Sequence, residues 1–214
     1  MSALGESPIL PTRRGYHHGH LREALIGATK ALLAEKGPQG FTLADAARLA
    51  GVSPAAPYRH FADRGALLLA VAREGFAAFA KRLEASGREA ASPIDAFREM
   101  GRAYLAFARE EPGLYAAMFS ARLPDAAPLA EGEAAFSVLV DAILDLLTRM
   151  GTLMSDPRDL ALQIWSLSHG IATLSASGRL GDDCADAEDV LASGVQALVA
   201  ASLTRNTKIE PQGL

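Results

Sequence analysis

The stretch that most constrains this chain is 42–64, TLADAARLAGVSPAAPYRHFADR. Thr42 is placed to cap a short helix, and Asp45, three residues on, can reach back to it in a capping box. Ala46, Ala47, Leu49 and Ala50 give that helix an apolar face of mostly small residues. Gly51 ends it, because the residue after a helix commonly turns left-handed, a conformation glycine adopts without steric cost. Ser53 then reads as the cap of a second short helix, with Pro54 in its first turn, where a missing N–H loses nothing. Two short helices joined by a tight turn with glycine at the corner form a helix-turn-helix pattern.

The second helix of such a pair enters the major groove, where base edges carry an unambiguous donor and acceptor code. Its exposed positions are Ser53, Ala55, Ala56, Tyr58, Arg59 and His60. Tyr58 and His60 can donate to phosphates, and Arg59 can reach a base or a phosphate. Spacing alone equally allows a structural hairpin of helices in which Tyr58 and Phe61 are core aromatics.

The order of motifs narrows this choice. Phe41-Thr42, Gly51-Val52-Ser53, Tyr58-Arg59-His60-Phe61, Arg64 and Ala66-Leu67-Leu68 follow one another at set distances. Over about Leu21 to Val71 the chain resembles the DNA-binding domain of TetR-family repressors, whose pattern runs Thr…Ala…Gly-Val-Ser…Tyr-x-His-Phe…Lys-x-x-Leu. The resemblance implies that Thr42, Tyr58, His60 and Arg64 position the DNA backbone, while Ser53, Ala55, Ala56 and Arg59 face the bases. Two residues depart from the pattern. Arg64 replaces the usual Lys, keeping the charge but changing its shape. Pro57 stands where many members carry another residue; with Ser53 as cap, it removes only the first intrahelical bond.

Charge supports a DNA-facing end. Residues 1–73 carry nine Lys/Arg against five Asp/Glu, or +4, and residues 74–214 carry twelve against twenty, or −8. A basic first third suits an anionic partner. The 214 residues suffice for one large or two small domains with a buried core, and an apolar half excludes disordered and fibrous classes. The longest charge-free run, Leu160 to Gly178, is interrupted by Gln163, His169, Thr173 and four serines, so no membrane span is expected. The N-terminus lacks the apolar stretch of a signal peptide. A single cysteine excludes an internal disulfide framework and suits a cytoplasmic protein.

In chain order, residues 1–15 read as a disordered tail whose Arg13 and Arg14 are either a minor-groove arm or simply solvated. Tyr16-His17-His18-Gly19-His20 lacks the further ligands that a closed metal site requires, so no metal is expected, and His18 is placed beside phosphate. Leu21, Leu25, Ala28 and Leu32 mark one face of a first helix ending at Gly37. These elements, 16–63, make a three-helix DNA-binding domain. A linking helix follows at 64–86, its N-terminus offering N–H groups and Arg64 to a phosphate.

The region 87–204 reads as a larger helical effector-binding and dimerisation domain, with 205–214 frayed. Helices are predicted at about 93–110, 112–120, 127–151, 156–177 and 185–204, so the chain is all-α. Met100, Tyr104, Phe107, Tyr115, Met118, Phe119, Phe136, Leu139, Ile143, Trp165 and His169 supply apolar side chains with few polar anchors, to which Arg102 adds one. The TetR resemblance implies a cavity among them that takes a small, largely apolar effector, which need not be charged because no paired charges converge there in sequence. Leu160, Ile164, Leu167, Ile171 and Leu174 follow the 4,3,4,3 spacing of a lengthwise packing seam, joined by Leu191, Val195 and Leu198 of the last helix. Intramolecular packing fits that spacing too; the resemblance implies instead a four-helix homodimer interface. Trp165-x-x-x-His169-Gly170, with Tyr16-His17-His18-Gly19, resembles one TetR subgroup named for the Trp-His-Gly residues. His169 there is a packed core residue or a ligand contact.

Cys184 lies in an Asp-rich loop, where neighbouring carboxylates disfavour a thiolate. No phosphate-binding glycine loop, nucleophile elbow or metal-spaced Cys/His set is present, so neither catalysis nor a cofactor is expected. The reading is a ligand-responsive transcriptional regulator, a repressor, that binds a double-stranded DNA operator as a homodimer. The alternative is an all-helical interaction or carrier protein without DNA binding.

Overall fold

The computed structural model describes residues 20–88, 90–120, 129–151, 156–179 and 184–206, with side chains described for 187–203 of the last stretch. Among these residues every regular element is a helix. They are α1 (Leu21–Lys36), α2 (Leu43–Leu49), a 3-10 turn (Pro57–Arg59), α3 (Arg64–Arg88), α4 (Pro93–Glu110), α5 (Pro112–Met118), α6 (Ala130–Arg149), α7 (Pro157–Ala176) and α8 (Cys184–Asn206). The predicted tail with Arg13, Arg14 and His18 lies outside the described residues, as does the side chain of Cys184.

Local chemistry sets the helix ends. Thr42 and Asp45 form the expected capping box: Asp45 N–H donates to the Thr42 hydroxyl at 3.1 Å, and Thr42 N–H to the Asp45 carboxylate at 3.0 Å. Gly51, at φ 72°, closes α2, with its N–H on the Arg48 carbonyl and Val52 N–H on that of Ala47. This paired bonding satisfies the last carbonyls of the helix, and only glycine adopts such a φ without strain. Ser92 caps α4 ahead of Pro93, and Asp156 caps α7 ahead of Pro157.

The second helix of the pair departs from expectation. Residues 53–60 form a turn and the single 3-10 turn Pro57–Arg59, not an α-helix. Pro57 has no N–H for the Ser53 carbonyl, and that carbonyl accepts from Ala56 at 3.0 Å instead. The tighter i to i+3 pattern continues from Ala56 to Arg59 and from Pro57 to His60. Pro57 itself is buried, so the ring that breaks the helix also anchors the segment to the core.

One continuous core joins the two halves, running from Leu21 and Leu25 of α1 through Leu67, Val71 and Phe79 of α3 to Ile143, Leu160 and Leu191. Along its length α3 packs on α1, α4, α5 and α6. The short α5 packs on α1 as well as on α3, giving the larger half a second hold on the N-terminal half.

Candidate nucleic-acid interface and effector site

Tyr58, Arg59 and His60 stand consecutively outside the core, Tyr58 63% exposed despite its large ring. Ser53 and Ala55 are exposed too, and Ala56 is half-buried. Thr42 is exposed, but its hydroxyl proton goes to Asp45 at 2.7 Å and its oxygen already accepts from Asp45 N–H. Those bonds from Thr42 hold the Asp45 carboxyl below the usual carboxylate range.

Arg64 does something other than expected. Its Nε donates to the Phe41 carbonyl at 3.0 Å, its Nη2 donates to the Pro38 carbonyl, and its guanidinium lies 4.5 Å from the centre of the Phe41 ring. The planar fork of arginine makes both bonds while lying against the Phe41 ring, a stacked geometry that the point charge of a lysine does not reproduce. Arg64 therefore ties residues 38–41 to the start of α3. Asp63, whose carboxylate accepts from Ala66 N–H at 2.7 Å, caps that helix.

In the larger half, a cleft of about 590 Å³ opens between α4, α7 and α8, with Leu83 of α3 and Leu139 and Leu146 of α6 behind it. Small-molecule sites occupy about 300–1,000 Å³ and combine apolar walls with a few placed polar groups. Of the predicted effector residues, Met100, Tyr104, Leu139 and Trp165 line it. Phe107, Tyr115, Met118, Phe119, Phe136, Ile143 and His169 do not. Most of that second set packs as a cluster of rings around Phe79, Tyr104 and Trp165. Phe79 meets Tyr104 at 5.0 Å, Phe107 at 5.1 Å and Trp165 at 5.7 Å between ring centres, and Phe136 meets Trp165 at 5.6 Å.

His169 belongs to this cluster. Its Nδ1 lies 2.8 Å from the Tyr115 hydroxyl and 3.5 Å from that of Tyr104, and the two hydroxyls are 3.5 Å apart. Burial pushes both tyrosine pKa values up and lowers that of His169, so at neutral pH all three groups are uncharged. They form a partly buried polar set inside an aromatic wall.

Sequence reading missed much of the cleft. Leu191, Val195, Val199 and Leu203 line it from α8, and Arg98 of α4 stands there with Glu188 and Asp189, beside Arg102, which the sequence did offer as a polar anchor. The apolar period of α8 was legible, but which side it faced was not. Arg102 Nε reaches the Glu188 carboxylate at 3.2 Å and Nη1 that of Glu99 at 2.7 Å. Paired charges do converge on this site, contrary to expectation, because the fold brings together residues far apart in sequence.

A family model described as bacterial regulatory proteins, tetR family, matches residues 25–71, and one described as tetracyclin repressor-like, C-terminal domain, matches residues 97–198. The chain belongs to the TetR family. Among solved structures, a protein of unknown function from Rhodococcus sp. RHA1 is similar at 33% identity and TM-score 0.75, over 89% of this chain and 100% of that one. A TetR-family transcriptional regulator from Pectobacterium atrosepticum is similar at 27% identity and TM-score 0.60, over 91% and 97% of the two chains. The fold is shared with the transcriptional regulator FadR from Bacillus subtilis, solved with stearoyl-CoA, at 17% identity and TM-score 0.65, over 83% and 97%. No curated protein sequence matches the chain.

Within this TetR-family chain the helical seam faces inward. Leu160, Ile164, Ile171 and Leu191 are buried inside the protomer, where α7 packs on α4 and α6, and α8 on α4 and α7. Leu167, Val195 and Leu198 are half-buried against the same core. Of the residues assigned to the interface, Leu174 alone stands exposed. A repeat of 3.5 residues marks a packing seam but does not name its partner. Among the described residues no group of His, Cys, Asp or Glu is arranged to hold a metal, and no helix is long and apolar enough to cross a membrane.

Proposed function

We propose that this TetR-family regulator is a ligand-responsive repressor that binds a palindromic DNA operator as a homodimer and releases it when a small, largely apolar effector fills the α4–α7–α8 cleft. The observation that carries the reading is the pairing of an apolar cleft in one half with an exposed Tyr58-Arg59-His60 edge in the other. The Bacillus subtilis FadR, which shares the fold, was solved with stearoyl-CoA, and the long acyl chain of that ligand supports an effector with a large apolar part. The outward side of α7 and α8 carries Leu162, Leu174 and Val190, and these supply the contact between protomers.

Mechanically, an effector shifts DNA affinity only by preferring one separation of the two DNA-binding halves. Two elements carry that preference: α3, continuous from Arg64 into the cleft wall at Leu83, and α5, packed on α1. By linkage, operator DNA weakens effector binding by the factor with which effector weakens DNA binding.

Selection of DNA from a random duplex pool with the purified protein tests the reading. An inverted repeat is expected, with half-sites spaced to suit a two-fold dimer. Enrichment of no sequence would favour the carrier or interaction protein.

A further inference from the structure

We infer that Arg22 of α1 is a phosphate contact of the DNA interface, gripping the backbone beside the turn 53–60 without reading sequence. The inference rests on the reading of the exposed Tyr58-Arg59-His60 edge as the DNA face, and it gives that face a residue from a different helix.

Arg64 leaves a gap. With its guanidinium on the Phe41 and Pro38 carbonyls, the edge lacks the cation expected beside it. Other cations of the N-terminal half are engaged as well. Lys30 lies 3.3 Å from Glu74, Arg48 2.6 Å from Asp45 and Arg73 3.8 Å from Glu131. Among the described residues up to Arg73, the cations outside any ion pair or backbone bond are Arg22, Lys36 and Arg59, all exposed. Lys36 stands at the other end of α1, where its charge helps hold the Asp45 carboxyl down.

Arg22 stands at the edge itself. Its guanidinium lies 5.8 Å from the centre of the Phe61 ring, and that ring is 6.5 Å from the ring of His60. At such a distance cation–π attraction holds the guanidinium, while its apolar stem can lie along the ring. Phe61 is buried, so the exposed arginine has a fixed seat. The two nearby acids are turned elsewhere: Glu23 lies 3.6 Å from His20, and Asp63 caps α3 at Ala66. A seated guanidinium with uncommitted N–H groups suits a phosphate, whose oxygens match its forked donors. Arg22 belongs to α1 and not to the turn that enters the groove, so it meets the groove wall. Contacts there fix position and carry no sequence information.

The full chain is titrated between 50 and 200 mM salt against the duplex it enriches from a random pool and against a duplex of unrelated sequence. For a dimer, Arg22→Gln should flatten the slope of log K against log salt by about two units, since two phosphate contacts are lost. Over that range the variant should lose about tenfold less affinity than the parent. Arg22→Lys keeps the charge and should keep the slope. Lys81→Gln, exposed and about 25 Å along α3 from Arg64, changes net charge equally and should leave the slope unaltered. Reselection with Arg22→Gln should enrich the parent's sequence. An unchanged slope for Arg22→Gln, or an equal change for Lys81→Gln, would overturn the assignment. A different sequence on reselection would overturn it too, by making Arg22 a reader of bases. No binding of any duplex by the parent would remove the DNA face itself, and this contact with it.

Discussion

Gly113 of α5 lies so close to Lys30 of α1 that a Cβ on it would sit 2.1 Å from the Lys30 carbonyl oxygen. Lys30 also reaches forward, its Nζ 3.3 Å from Glu74 and 3.9 Å from Glu111. Two residues beyond Gly113, Tyr115 bonds His169 inside the aromatic cluster. A single short helix thus touches both the backbone of the DNA-binding half and the wall of the larger half.

Gly113→Ala should therefore be costly. The atoms it would meet are backbone and cannot rotate away, so α5 must retreat from α1. We expect a loss of about 3 kcal/mol or more, at or beyond the top of the usual overpacking range. Gly75→Ala is the comparison, because its new Cβ would meet chiefly Met118 Sδ and Cγ, at 2.9 and 2.8 Å. Methionine is flexible, and alanine gains about 1 kcal/mol of helix propensity over glycine, so the net change should stay within about 1 kcal/mol. Urea unfolding of both variants checks this. Equal losses would mean that the α1–α5 approach has room to yield.

Arg64→Ala should lower stability without changing how salt affects DNA binding. Its guanidinium serves the Phe41 and Pro38 carbonyls, bonds worth about 1–3 kcal/mol when a charged donor is lost. Arg59→Ala, at an exposed position, should flatten the slope of log K against log salt by about two units for a dimer, if each Arg59 meets a phosphate. Binding of a selected operator between low and moderate salt measures both slopes. A drop of about two units for the Arg64 variant would return that residue to the phosphate contacts.

His169 should make the protein weaker in acid. Burial lowers its folded pKa below 6.5, so below that pH the unfolded chain takes up a proton that the folded chain resists. More protons bound in the unfolded state means that stability rises with pH in this window and falls as pH drops toward the folded value. His169→Gln keeps an acceptor for Tyr115 but does not titrate. Denaturant midpoints at pH 5 and 7.5 should show a smaller acid loss for the variant than for the parent. The acidic residues titrate alike in both proteins and cancel. Identical losses would mean that His169 is protonated in the fold at little cost.

The dimer prediction follows exposure rather than periodicity. Leu162, Leu174 and Val190 are 58%, 41% and 47% exposed in the protomer, whereas Leu160 is 1% exposed. Leu162→Glu with Leu174→Glu should give a folded monomer by sedimentation at micromolar concentration, where the parent is a dimer. Leu160→Glu should instead unfold the chain, because it buries an unpaired charge. A dimer that survives the paired surface change would place the interface elsewhere.

Sequence alone determined the elements, the second helix of the 42–64 pair excepted. The Thr42–Asp45 box, Gly51, Ser92-Pro93 and Asp156-Pro157 act within a few residues of themselves, so their signals are complete in the local sequence. For the same reason the TetR motifs identified the family before any tertiary contact was known. Only the tertiary structure decided direction and partnership. The 160–171 seam turns inward because α4 and α6 lie beneath it, and nothing in a 3.5-residue period distinguishes that from a second protomer. Glu188 meets Arg102 across 86 positions of sequence, and Arg64 meets carbonyls 23 and 26 residues away. Pro57 was visible from the start, but its effect depended on the Ser53 carbonyl taking Ala56 as donor. Caps and periods are local properties of a chain, whereas charge pairing, cleft walls and free faces depend on which helices the core brings together.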